Sequence, residues 1–146
     1  MHPFATQAAG RAVRALAAEI DAELGPTGRD SLLRGAGRRL AVLMPLPEVD
    51  SMEALEAEAN AALAELGWGS AHFALNEAEQ TLLITHDDLP AVGAAGEPIG
   101  QWLAAALEGL YETWLGHQPG ADPALTARRD PARADGGKVV IRYRRR

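Results

Sequence analysis

The stretch His86–Leu115, HDDLPAVGAAGEPIGQWLAAALEGLYETWL, decides how the rest of this 146-residue chain is read. It runs from a strand exit through a glycine-rich turn into the strongest helix pattern in the sequence. Trp102, Leu103, Ala106, Leu107, Leu110, Tyr111 and Trp114 recur every three to four residues, the stripe of an amphipathic helix that faces a core. Each large side chain there contributes roughly 1.5–3 kcal/mol when fully buried. The other side of the helix reads Gln101, Ala104, Ala105, Glu108, Gly109, Glu112, Thr113, and it is small around Ala105 and Gly109. Small residues let a second helix come close, so this face is expected to meet a neighbour. Glu97-Pro98 stands where a first helical turn favours an acid and a proline.

Upstream of that stretch the period is 2. Ala71, Phe73 and Leu75 alternate with Ser70, His72 and Ala74, then Asn76–Glu79 turns the chain, and residues 81–85 return as a second strand. This is a β-hairpin with a four-residue connection. Downstream, residues 117–137 are rich in proline, glycine and charge and read as a surface loop. KVVIRYR, residues 138–144, reads as a last strand with Val139, Ile141 and Tyr143 on one face and Val140, Arg142 and Arg144 on the other. It is expected to join the hairpin, because a two-stranded sheet alone is marginal.

The first half of the chain reads as helices. Residues 1–7 carry no period and suggest a flexible arm. Ala12, Val13, Leu16, Ala17, Ile20 and Leu24 define a first helix that Gly25-Pro26 ends. A second has a core face of Leu32, Leu33, Ala36, Leu40, Leu43 and Met44, with Arg29, Arg34, Arg38 and Arg39 in solvent, and Pro45 and Pro47 stop it. A third begins at Asp50 or Ser51, where Asp50 with Glu53 matches a capping box, and ends at Gly67. Its core face is Met52, Leu55, Ala59, Ala62, Leu63 and Leu66, with an acidic face opposite. The expected class is therefore α+β: four to five helices packed with a small antiparallel sheet, in one domain over residues 1–146.

Bulk numbers narrow the function. The net charge of −6 argues against a general nucleic-acid partner, which needs a basic face. There is no cysteine, hence no disulfide framework and no thiolate zinc site. Arg11 and Arg14 interrupt any apolar leader, and no 18-residue apolar run is present, so a cytoplasmic chain without membrane insertion is expected. His86-Asp87-Asp88 looks like a metal cluster, but consecutive residues on an extended chain alternate faces and converge poorly on one ion. Asp88 and Glu97 as a glycosidase pair have nothing in the sequence to bring them together. Gly93, Gly96 and Gly100 before a helix suit an anion, but Glu97 beside them opposes one. No catalytic residue, metal or cofactor is expected.

Several blocks resemble the D subunit of bacterial cellulose synthase. They are RDSLLRGAGRRLA (Arg29–Ala41), LGWG (Leu66–Gly69), the whole of His86–Leu115 and HQPGA (His117–Ala121). The likeness runs in the same order and spacing over roughly residues 10 to 130. It implies a ring-like homo-oligomer, an octamer built from dimers, that helps arrange nascent glucan chains or the synthase complexes making them, without being the glycosyltransferase. It implies as partners the chain itself, the synthase complex or an operon accessory protein, and β-1,4-glucan. Members of the family have been treated as periplasmic, and a cytoplasmic scaffold has also been proposed.

On that reading, Ala105, Gly109 and Glu112 are the expected contact between subunits, and Gly109→Leu is expected to weaken assembly more than the fold. His2, Phe4 and Gln7 offer stacking and hydrogen bonds to a glucan by side-chain chemistry alone. The competing readings are a soluble glucan-binding module that uses Trp68, Trp102 and Trp114 as sugar platforms, and a glycoside hydrolase.

Overall fold

The computed structural model describes residues 3–90, 92, 102–130 and 138–145, with side chains from residue 10 onward. The elements in order are α1 (Pro3–Leu43), α2 (Met52–Leu66), β1 (Ser70–Asn76), β2 (Thr81–Asp87), α3 (Ala104–Gly116), β3 (Leu125–Arg129) and β4 (Val139–Arg145). The class is α+β as expected, with three helices among the described residues rather than four to five. The difference lies in α1. Two helical segments run together across Gly25, whose φ of 66° lies outside the helical region and kinks the chain just before Pro26. α1 also begins at Pro3, so the backbone of Phe4 and Gln7 is helical. The side chains of Phe4 and Gln7, and all of His2, lie outside the described residues.

The sheet has four antiparallel strands in the order β1-β2-β4-β3. The hairpin pairs Ala71 with His86, Phe73 with Ile84 and Leu75 with Leu82. β4 joins β2 through Ile84–Ile141 and His86–Val139. The fourth strand is a correction: residues 117–137, read as loop, contain β3, which pairs Ala127 with Tyr143 and Arg129 with Ile141. The alternation holds over most of each strand, but Leu75, read on the inner face, is exposed, and Val140, read on the outer one, is buried. Phe73, Ile84, Ile141 and Tyr143 are buried on the inner face, while His72 and Arg144 are exposed on the outer one.

α3 covers the inner face. Tyr111 packs edge-on against Phe73 at 6.2 Å and Trp114 at 6.0 Å between ring centroids. Trp102 and Trp114 are 4% and 2% exposed, and their indole N–H groups donate to the Asp21 carboxylate at 2.9 Å and the Met44 carbonyl at 2.9 Å. Both anchors tie α3 to α1 or its exit.

α2 is capped by Ser51, whose hydroxyl accepts from the Ala54 N–H at 3.1 Å, so the cap is Ser51 and not Asp50. Gly67 closes it in the left-handed conformation. Leu55, Ala59 and Leu63 are buried, and Met52 of the expected core face is exposed. α1 departs further. Ala17, Leu33 and Ala41 are buried, but Val13, Leu16, Leu24, Leu32 and Leu43 stand exposed. Arg29, expected in solvent, is buried, 6.0 Å over the Trp102 ring. α3 needs only one side of α1, so that side is covered and the rest of the apolar stripe is not.

Candidate functional site

The small face of α3 is where the chain's polar and close-packed features meet. Ala105 is fully buried. A Cβ added to Gly109 would sit 2.0 Å from the Arg34 carbonyl oxygen, and one added to Gly37 would sit 2.0 Å from that of Ala106. The two glycines let the backbones of α1 and α3 touch. The neighbour expected for this face is therefore α1 of the same chain. Ala105 and Gly109, expected at a contact between subunits, are occupied by intrachain packing.

Glu108 lies on the same face and is 2% exposed. Its Oε1 accepts from Arg34 Nη2 at 2.8 Å, and its Oε2 accepts from the Arg129 backbone N–H at 2.8 Å. The Arg129 guanidinium lies 3.6 Å from Oε2 and also binds Asp30 of α1. One turn on, Glu112 is half-buried. Its Oε1 accepts from the Ala127 N–H at 2.9 Å and from Arg128 at 3.2 Å. Glu112 and Glu108 thus take the outward N–H groups of Ala127 and Arg129 on the free edge of β3. A buried carboxylate survives out of water only when its lone pairs are used, and both oxygens of Glu108 are.

The second buried polar centre is His86. Its Nε2 is 2.6 Å from the Trp68 carbonyl and its Nδ1 is 2.6 Å from the Tyr111 hydroxyl. A carbonyl only accepts, so Nε2 carries the proton, and the neutral ring accepts the Tyr111 O–H at Nδ1. Burial holds the His86 pKa below its ordinary 6.5, against the Trp68 bond and the nearby charges of Asp87 and Asp88. Burial also pushes the Tyr111 pKa upward. Both nitrogens of His86 are committed to structure.

The other sequence candidates separate. Asp87 lies 3.9 Å from Lys138, and Asp88 is exposed with φ of 61°. Among the described residues no group of three or more His, Asp or Glu side chains is placed to hold a metal ion. Glu97, Gly93, Gly96 and Gly100 lie outside the described residues. On β4, Arg142 pairs with Asp130 at 3.0 Å and Arg145 with Asp122 at 2.6 Å.

Residues 6–144 fit the family of the cellulose synthase D subunit. The chain belongs to that family. Proteins named cellulose synthase operon protein D from Komagataeibacter xylinus and Komagataeibacter sucrofermentans are each 44% identical to it over 118 residues, which is 81% of this chain and 76% of theirs. A further K. xylinus protein of the same name is 43% identical over the same length.

Sequence reasoning missed Glu108, Arg34 and Arg129 as one unit. The signal was faint: a single acid among Ala104, Ala105 and Gly109 on a face too small to be solvated. His86 was read as lying past the strand, although it continues the Leu82–Ile84 alternation onto the inner face of β2.

Proposed function

We propose that this chain is a non-catalytic accessory subunit that organises the export and crystallisation of glucan chains as a homo-oligomeric scaffold. Membership in the cellulose synthase D-subunit family ties it to bacterial cellulose synthesis. The observation that supports a scaffold is a set of large apolar side chains left exposed on a chain whose buried polar groups serve its own fold. The side chains suited to chemistry, Glu108 and His86, are buried and saturated by their own chain. Large apolar side chains stand outside instead, with Leu43 at 78%, Leu16 at 65% and Val42 at 63% exposure. Exposed apolar surface of that kind suits protein contacts.

The proposed partners are further copies of the chain, the synthase complex or an operon accessory protein, and the emerging glucan. The proposed place is the cytoplasmic side of the synthase. Fractionation finding the chain in the periplasm would move the scaffold across the membrane. The reading as a glucan-binding module loses two of its three platforms, since Trp102 and Trp114 are core residues.

The test is genetic and chemical. Cells lacking the chain should make cellulose of lower crystalline order, restored by the wild-type chain and also by a Glu108→Gln variant that remains folded. Purified protein that releases reducing sugar from soluble cellulose derivatives, with loss of that activity in Glu108→Gln, would refute the reading.

A further inference from the structure

The end of α1 carries a ridge between two hollows. Leu43 forms the ridge, with Val42 beside it, and they are among the most exposed large apolar side chains described. On one side lies a hollow of about 380 Å³ lined by Arg38, Arg39, Val42 and Leu43. On the other lies a hollow of about 310 Å³ between residues 43–47 and the Ala61–Ala62 side of α2, lined also by Glu58 and Glu65. Leu43 borders both. One hollow is therefore basic, the other acidic, and the ridge between them is apolar.

The charges have little to do within the chain. Among the described residues Arg39, Glu58 and Glu65 form no ion pair, and Arg38 reaches Glu112 only at 3.8 Å. A surface with an apolar ridge and opposite charges on its two flanks is self-complementary. Rotation by a half-turn about an axis lying in the surface, along the ridge direction, sets the basic flank of one copy on the acidic flank of the other. A twofold contact needs that property, because the same patch serves both copies.

We propose that a second copy of this chain docks here about a twofold axis lying between Leu43 and the α2 hollow. Each Leu43 enters the other copy's hollow between residues 43–47 and α2. Each Arg38–Arg39 pair faces the other copy's Glu58 and Glu65. The apolar insertion supplies the central contact and the charges fix the orientation and exclude the parallel arrangement. This rests on the assembly reading above and names the surface that reading lacks now that Ala105 and Gly109 are filled from within.

The test measures the mass of the full-length chain by light scattering. The wild-type chain sets the reference as a multiple of 15.4 kDa. Leu43→Glu should raise the dissociation constant of the contact by about a hundredfold and lower the mass at equal concentration, while the far-UV circular dichroism spectrum stays that of the wild-type chain because the side chain is exposed. Arg39→Glu alone, and Glu58→Arg with Glu65→Arg, should each weaken it by about tenfold, and mixing the two variants should restore the wild-type mass. A self-associating wild type whose Leu43→Glu variant keeps the same mass overturns this surface and leaves assembly standing. A wild type that stays at 15.4 kDa overturns the assembly reading itself, and this surface with it.

Discussion

At the β1 edge of the sheet, Asn60 and Glu56 of α2 hold the outward backbone N–H groups of Ala71 and Phe73, at 2.7 and 2.5 Å. At the β3 edge, Glu112 and Glu108 of α3 hold those of Ala127 and Arg129, at 2.9 and 2.8 Å. Both pairs stand four apart on a helix and reach residues two apart on a strand. Four helical residues rise about 6 Å, close to the 6.8 Å or so of two strand residues, so one spacing serves both edges. Each cap occupies edge N–H groups that a strand of another chain would need. The difference is depth and distance in sequence. The β1 cap links residues 11 and 17 apart, and its Glu56 is partly exposed beside His72. The β3 cap buries Glu108 and recruits Arg34, 74 residues away, with Arg129 reaching Asp30 across 99. One edge is a local device, and the other binds α1, α3 and β3 into a unit.

The comparison breaks first at Glu108. Glu108→Ala leaves Arg34 and Arg129 without their shared carboxylate and should cost about 3–5 kcal/mol in urea unfolding, far more than any change at the β1 cap. A loss below about 1 kcal/mol would put the two edges on the same footing. Gly109→Leu comes next. Its side chain would be driven into the Arg34 carbonyl, so it should cost about 3 kcal/mol of fold stability, and the fold rather than the assembly gives way first. Unchanged unfolding with a lowered oligomer mass would restore Gly109 to a contact between subunits.

The third prediction concerns the floor between the two edges. His86 is neutral when folded, while the unfolded chain takes up a proton near the ordinary pKa of 6.5. Stability is therefore full above about pH 6.5 and falls as the pH drops from there through the lowered folded value, by about 1 kcal/mol per pH unit. Melting temperatures across that window should slope for the wild type and flatten for His86→Gln. Parallel slopes would remove His86 from the account. The smallest effect is at the β1 cap, where Asn60→Ala loses two hydrogen bonds to Ala71 and should cost about 1–2 kcal/mol.

Local features were legible in the sequence and distant ones were not. The hairpin, the Ala71–Phe73 alternation and the Gly67 stop all depend on neighbours in the chain, and the structure has them where the pattern points, with Leu75 at the turn end the exception. β3 was hidden because LTARR buries only Ala127, and what makes it a strand is β4 on one side and two carboxylates of α3 on the other. The small face of α3 announced a close neighbour, but not whose. Gly37, four residues from Ala41 in a block read for its leucines, was the matching half of that contact. Arg34 and Glu108 look like surface charges until the fold brings them together. The same gap explains α1: periodicity marks every apolar residue as core, while α3 covers only one side of it.

The most direct test of the central claim is the native mass of the full-length chain at micromolar concentration. The account predicts a defined multiple of 15.4 kDa that falls when Leu43 is replaced by Glu. A single species of 15.4 kDa for the wild-type chain would contradict it.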